Sequence, residues 1–180
     1  MGKTVARICR ADPQSMFDGG GGFGALSLRQ AICDHVGEWR GITARPEQVI
    51  VTAGATDALE ICLHALSVPG DHVVLEDPGY RPLKHFVTEQ GLRPSFVQVD
   101  GIGAVLPTTR CRLAILTPSH QFPLGGAMSP ARRMAFIQWA ADQDAWIIED
   151  DYDSEFRYAG RPIPAMAGFD QLNRTLYVGS

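Results

Sequence analysis

Short, nearly unbroken apolar runs alternate with segments of helical period along this chain, and that alternation constrains its fold more than any single residue. The runs are Val49-Ile50-Val51, His72–Leu75, Ser95–Val99, Arg112–Leu116, Trp146–Ile148 and Tyr177-Val178. Between them, Leu28, Ile32, Val36 and Trp39 recur at helical spacing, with a stop near Gly41. A second helix follows Gly54 and carries Ala58, Leu59, Ile61, Cys62, Ala65 and Leu66. A third covers about Arg81 to Gln90. A fourth, capped by Ser129 with Pro130 in its first turn, runs to about Gln143 with Met134, Ile137 and Ala141 on one side. Strands that read as continuous apolar runs are buried on both faces, which happens when helices cover both sides of a parallel sheet. The pattern predicts an α/β fold in three layers around a mostly parallel sheet. Ligands of such sheets gather at the carboxyl ends of the strands, so the residues that close each strand are the candidates for chemistry.

Residues 1–23 show no period and contain Gly19-Gly20-Gly21-Gly22, so they are expected to form an irregular lead-in to a single partial domain, 24–180. With 45% apolar and 20% charged residues the chain reads as an ordinary globular protein. A net charge of −4 without a basic stripe argues against nucleic acid as a partner of this chain. Cys9, Cys33, Cys62 and Cys111 are scattered and form no CxxC pair, so buried thiols are expected rather than zinc ligands or disulfides. No apolar run approaches the roughly 18 residues of a membrane span, and no secretory h-region follows Lys3, Arg7 and Arg10. The expected location is the cytoplasm, with no membrane contact.

Four runs carry possible chemistry. Gly54-Ala55-Thr56 follows a β-branched run and opens a helix, where backbone N–H groups and a hydroxyl suit a phosphate; a tight turn with an N-cap is the plainer reading. Tyr80, after Asp77-Pro78-Gly79, can lay its ring on a flat ligand or enter the core. Asp150-Asp151-Tyr152-Asp153 closes an apolar strand. A carboxylate there can face a pyridine nitrogen and keep it protonated, with Tyr152 donating to a phenolate oxygen. The alternatives for that run are a solvated acidic loop and a metal-binding cluster. His120 in Ser119-His120-Gln121-Phe122-Pro123 is either an acid–base group or a hydrogen-bonded loop histidine, and no catalytic role is assigned to it.

The order of these motifs resembles that of the fold-type-I pyridoxal-phosphate aminotransferases (class I/II). In particular it is similar to the aminotransferase-like domain of MocR-type regulators, a branch of the GntR transcription factors. The resemblance covers roughly Gly24 to Ser180. It is carried by Gly24-x-x-x-Leu28-Arg29-x-Ala31-Ile32, Ile50-Val51-Thr52-Ala53-Gly54-Ala55, Glu76-Asp77-Pro78-Gly79-Tyr80, Thr117-Pro118-Ser119-His120-Gln121-Phe122-Pro123 and Trp146 through Tyr158. It implies the large domain of the pyridoxal-phosphate transferase fold. It also implies that Ala55 and Thr56 hold the cofactor phosphate, Tyr80 stacks on the ring, Asp150 pairs with its nitrogen and Tyr152 bonds its phenolic oxygen. Ser180 stands where the family often has a phosphate-contacting Ser or Thr, three positions before the Schiff-base lysine.

Neither Lys3 nor Lys84 stands where that lysine is expected, so no catalytic residue is assigned. The expectation is a fragment of a MocR-type regulator, without its DNA-binding domain, that holds pyridoxal phosphate weakly and without a covalent bond. The resemblance further implies a homodimer in the intact family and an amino compound or the cofactor itself as effector. A piece of a free-standing aminotransferase, or a remnant without activity, are the alternatives.

Overall fold

The computed structural model describes residues 2–14, 21–153 and 164–180. Helix α1 (Gly2–Ala11) occupies part of the expected irregular lead-in, which is a correction to that reading. Its described side chains are almost all exposed, so no burial pattern marks it in the sequence. Helix α2 (Leu26–Arg40) ends where Gly41 takes a left-handed φ of 70°, a conformation that costs glycine nothing. Val49-Ile50-Val51 is not a strand. Val51 donates one backbone bond to Phe23 (3.0 Å), and among the described residues no strand pairs with the run; β-branched residues favour extended backbone but do not supply a neighbour.

Helix α3 (Ala55–Leu66) leads to β1 (His72–Asp77), then α4 (Arg81–Glu89), β2 (Arg93–Asp100) and the short β3 (Gly103–Ala104). Strand β4 (Leu113–Leu116), α5 (Pro130–Gln143), β5 (Trp146–Asp151), α6 (Met166–Phe169) and β6 (Thr175–Gly179) complete the described elements. The sheet order is β3-β2-β1-β4-β5-β6, and every pairing is parallel except β2 with β3. The winding reverses between β1 and β4, which opens a crevice at their carboxyl ends.

Both faces are covered, as the apolar runs predict. Val73, Leu75, Leu113, Ile115, Ile148 and Val178 pack on one face with Leu59 and Leu63 of α3 and Leu83 and Val87 of α4. Val74, Ala114, Leu116 and Ile147 pack on the other with Phe136, Ile137 and Ala140 of α5 and Met166 of α6. Each fully buried Leu, Val or Ile stabilises by about 1.5–3 kcal/mol, so these two layers dominate the folding energy.

Helix α5 differs in detail from its apolar pattern. Met134, expected on the inner side, is exposed, whereas Arg133 is buried. The Arg133 guanidinium donates to the carbonyls of Met128 (3.0 Å), Pro118 (2.6 Å) and Pro164 (2.8 Å), which compensates its desolvation. Among the described residues no helix is long and apolar enough to cross a membrane.

Candidate functional site

The sheet brings most of the predicted site residues to one end. The Leu66 carbonyl, at the last turn of α3, accepts from Arg112 Nε (3.1 Å), and the Arg112 N–H donates to His72 O (2.9 Å). The C-terminus of α3 therefore sits at the amino ends of β1 and β4. Its N-terminus, with Ala55 and Thr56, lies toward the carboxyl ends. Gly54 precedes it at φ 128°, and no side chain caps the helix. Thr56 is exposed, and Asp57 turns back onto the Ala53 N–H (2.9 Å). No side chain therefore caps the first N–H groups of α3, at the positive end of the helix dipole.

The acidic run is a buried strand end, not the solvated loop that its composition allows. Asp150, Asp151 and the Glu149 before them have three different fates. Glu149 turns to the α5 face and accepts from the N–H groups of Met166 (2.9 Å) and Ala167 (3.0 Å), opening α6; burial pushes its pKa up. Asp151 pairs with Arg40 Nη2 (2.9 Å) and accepts from the Tyr177 hydroxyl (2.6 Å). Asp150 lies on the α3–α4 face, is only 8% exposed, and has no hydrogen-bond partner on its buried Oδ1. Burial, and then the neighbouring Asp151 charge, push its pKa up from 3.8 to about 6. A buried carboxylate left without a partner is costly, and a cationic ligand group would relieve that cost.

Aromatic rings continue from Asp150 toward β1. Tyr152 stacks on His120 (5.9 Å between centroids, 21°), and Phe122 meets Tyr152 edge-on at 6.2 Å. Tyr80 meets Phe122 edge-on at 6.0 Å and is 42% exposed, so it is not a core tyrosine. The Tyr152 hydroxyl lies 3.3 Å from His120 Nδ1, which also bonds Asp153. Burial and then Asp153 raise the Tyr152 pKa, so its phenol stays protonated and able to donate. Ser180 Oγ donates to the Tyr152 carbonyl (3.3 Å), which places it beside β5. The motif residues 154–158 lie outside the described residues.

Gly79 sets the position of Tyr80. A Cβ on Gly79 would lie 2.3 Å from the Glu76 carbonyl oxygen, a backbone atom that cannot step aside. Gly79→Ala is expected to destabilise the chain by about 1–3 kcal/mol, the usual range for overpacking, and to displace Tyr80. Urea unfolding and Tyr80-dependent ligand uptake would check both effects; an unchanged midpoint would contradict them.

Arg40 and Glu76 belong to the site although no role is predicted for either. Arg40 also donates to Ser119 Oγ (2.6 Å), so it ties α2 to the loop that carries His120. Glu76 Oε2 accepts from Thr117 Oγ1 (2.5 Å) and N (3.3 Å) and from Gln121 Nε2 (3.3 Å), while burial raises its pKa. The sequence signal for Glu76 was its place in the run that ends at Tyr80. Arg40 had none beyond a basic residue in a last helical turn.

The sequence matches the family described as aminotransferase class I and II over residues 3–172. The chain belongs to that family. Among its relatives are regulators. The pyridoxine biosynthesis transcriptional regulator PdxR of Corynebacterium glutamicum is 40% identical over 160 residues, which is 87% of this chain and 35% of that protein. A protein named probable rhizopine catabolism regulatory protein MocR, from Rhizobium meliloti, is 40% identical over 156 residues, 85% of this chain and 32% of its own. The chain thus spans about a third of the length of these curated relatives. An α-aminoadipate aminotransferase from Thermus thermophilus, solved with N-(5'-phosphopyridoxyl)-L-leucine, superposes with a TM-score of 0.85 at 25% identity over 99% of this chain and 47% of that one. The class I and II fold accounts for the mostly parallel sheet described above. The part of this chain that matches these regulators is the part that fits the aminotransferase class I and II family.

Proposed function

We propose that the chain is a pyridoxal-phosphate-holding part of a MocR-type transcriptional regulator and that it takes up the cofactor reversibly. The observation that carries this is Asp150, a buried carboxylate without a partner at the end of β5, on the face and at the sheet end where α3 begins. Pyridoxal phosphate fits that arrangement. Asp150 would pair with the protonated ring nitrogen. Tyr80 would lie against the ring, Tyr152 would donate to the phenolic oxygen, and Ala55, Thr56 and Ser180 would hold the phosphate.

When bound, the cofactor supplies an electron-accepting ring. The residues around it do simpler work. Asp150 holds the nitrogen proton through its charge. The high pKa of Tyr152 keeps its proton on the hydroxyl as a donor. His120 and Asp153 hold the Tyr152 ring in place through stacking and the Nδ1 contacts. Arg40 pairs with Asp151 on the other face of the strand, which leaves Asp150 as the carboxylate without a partner at this strand end.

Neither lysine of the chain stands by Asp150. Lys3 is in α1, and the Lys84 ammonium lies over the Phe96 ring at 6.0 Å on the α4 side. Borohydride treatment of the chain saturated with pyridoxal phosphate is therefore expected to leave no stoichiometric adduct at either lysine, with no transaminase turnover. Peptide mass mapping checks this, and a full adduct at one defined lysine would overturn the reversible reading. A free-standing aminotransferase is the second reading, favoured by a 30% identity to the 2-aminoadipate transaminase of Thermus thermophilus over 81% of the chain. Turnover in the longer protein with no DNA-binding domain in frame would select it.

A further inference from the structure

One ring nitrogen of His120 has two neighbours that compete for it. Its Nδ1 lies 2.5 Å from Asp153 Oδ2 and 3.3 Å from the Tyr152 hydroxyl oxygen. An imidazole nitrogen either carries a proton and donates or carries a lone pair and accepts. A carboxylate only accepts, so Asp153 needs the proton on Nδ1. Tyr152 can give its own proton only to a bare Nδ1. One state of the ring cannot serve both.

The distances decide between them. The Asp153 contact at 2.5 Å is a made hydrogen bond, whereas the Tyr152 contact at 3.3 Å is long for a hydroxyl donor. A bond to a carboxylate is also roughly twice as strong as one between neutral groups. The Nδ1 proton therefore points at Asp153, and Tyr152 keeps its hydroxyl proton for another acceptor.

The tyrosine ring itself has little freedom. His120 covers one face at 5.9 Å, Phe122 meets it edge-on at 6.2 Å, and Ser180 Oγ donates to the Tyr152 carbonyl (3.3 Å). Burial raises the pKa of the phenol, so the proton is present to be given. What remains to be set is where that proton points.

We infer that Asp153 is a positioning residue: by holding the proton on His120 Nδ1 it denies Tyr152 a neighbouring acceptor and leaves the hydroxyl to donate to the ligand. Asp153 acts through His120, across the face of the Tyr152 ring. The ligand atom served is the phenolic oxygen of pyridoxal phosphate, and for that identity the inference rests on the proposed function. The state of the imidazole does not.

The first arm of the test is nitrogen NMR of the cofactor-free chain labelled with 15N-histidine, with His120→Phe used to identify the His120 signals. Nδ1 is expected to carry the proton in the wild-type chain. In Asp153→Ala the proton is expected to move to Nε2, which leaves Nδ1 to accept from Tyr152. A bare Nδ1 in the wild-type chain, or no change in the variant, would overturn the inference. The second arm is calorimetry with pyridoxal phosphate and with its 3-deoxy analogue, which lacks the phenolic oxygen. Asp153→Ala is expected to weaken pyridoxal phosphate by about three- to tenfold, the worth of one hydrogen bond, and to spare the analogue. Asp153→Ala/His120→Phe is expected to recover most of that loss, because phenylalanine keeps the stack and offers no acceptor. Equal loss for both compounds, or no recovery in the double variant, would show that Asp153 only supports the loop. Failure of the wild-type chain to take up pyridoxal phosphate, with the proton shift observed, would sink the cofactor reading and leave the role of Asp153 standing.

Discussion

Arg40→Met is expected to destabilise the chain by about 3–5 kcal/mol, the cost of stranding one partner of a buried ion pair. The side chains of Arg40 and Asp151 are 4% and 1% exposed, so water cannot replace the lost guanidinium. Asp151 would keep only the Tyr177 hydroxyl among the described residues. Against a total stability of about 5–15 kcal/mol for a domain, that loss is severe. The partner change Asp151→Asn removes the stranded charge and keeps an acceptor for Tyr177. The double variant Arg40→Met/Asp151→Asn is therefore expected to recover about 2 kcal/mol or more of the loss. Urea unfolding of the four proteins forms a double-mutant cycle, and strictly additive effects would show that the two residues are not coupled.

Asp150→Asn is expected to move stability and binding in opposite directions. The folded chain holds the Asp150 proton up to about pH 6, against 3.8 ordinarily. Below about pH 4 both folded and unfolded chains carry the neutral acid, and burial exacts no charge penalty. As pH rises through 6, the folded chain must ionise a buried group, and stability is lost. The span of about 2 pH units corresponds to roughly 2–3 kcal/mol at about 1.4 kcal/mol each. Asparagine avoids this penalty, so the variant is expected to melt about 4–8 °C higher at pH 8 and about equally at pH 4. At pH 8 the same variant is expected to lose about 30- to 150-fold in affinity for pyridoxal phosphate, the roughly 2–3 kcal/mol of a buried charge-assisted contact. Wild-type affinity is expected to rise as pH passes 6 and Asp150 becomes charged. A variant that is both less stable and equally able to bind would contradict this trade-off between site and fold.

Local periodicity made much of the fold legible. Helix α2 follows from Leu28, Ile32, Val36 and Trp39, and α5 begins where Ser129 and Pro130 place it, with Ser129 Oγ accepting from the Arg132 N–H (3.2 Å). The long-range choices were hidden. Among the described residues Val49–Val51 has strand composition but no strand beside it, and the described side chains of α1 are almost all exposed. The extent of β5 was obscured because Glu149, Asp150 and Asp151 look like a loop until their partners are known. Those partners come from α2, α6 and β6, far away in sequence. Arg133 shows the same limit, since three carbonyls from two loops make its burial tolerable. The candidate site was more legible than the packing that holds it. Asp150, Tyr152 and Tyr80 were readable from their motifs, whereas Arg40 and Glu76 act through contacts that no local pattern announces.

The central claim is that Asp150 recognises the ring nitrogen of pyridoxal phosphate. Affinities of the wild-type chain and Asp150→Asn for pyridoxal phosphate and for its 1-deaza analogue, which lacks that nitrogen, test it most directly. The wild-type chain is expected to prefer pyridoxal phosphate by about 30-fold or more, and the variant to bind both alike. Equal affinity of the wild-type chain for the two compounds would contradict the account.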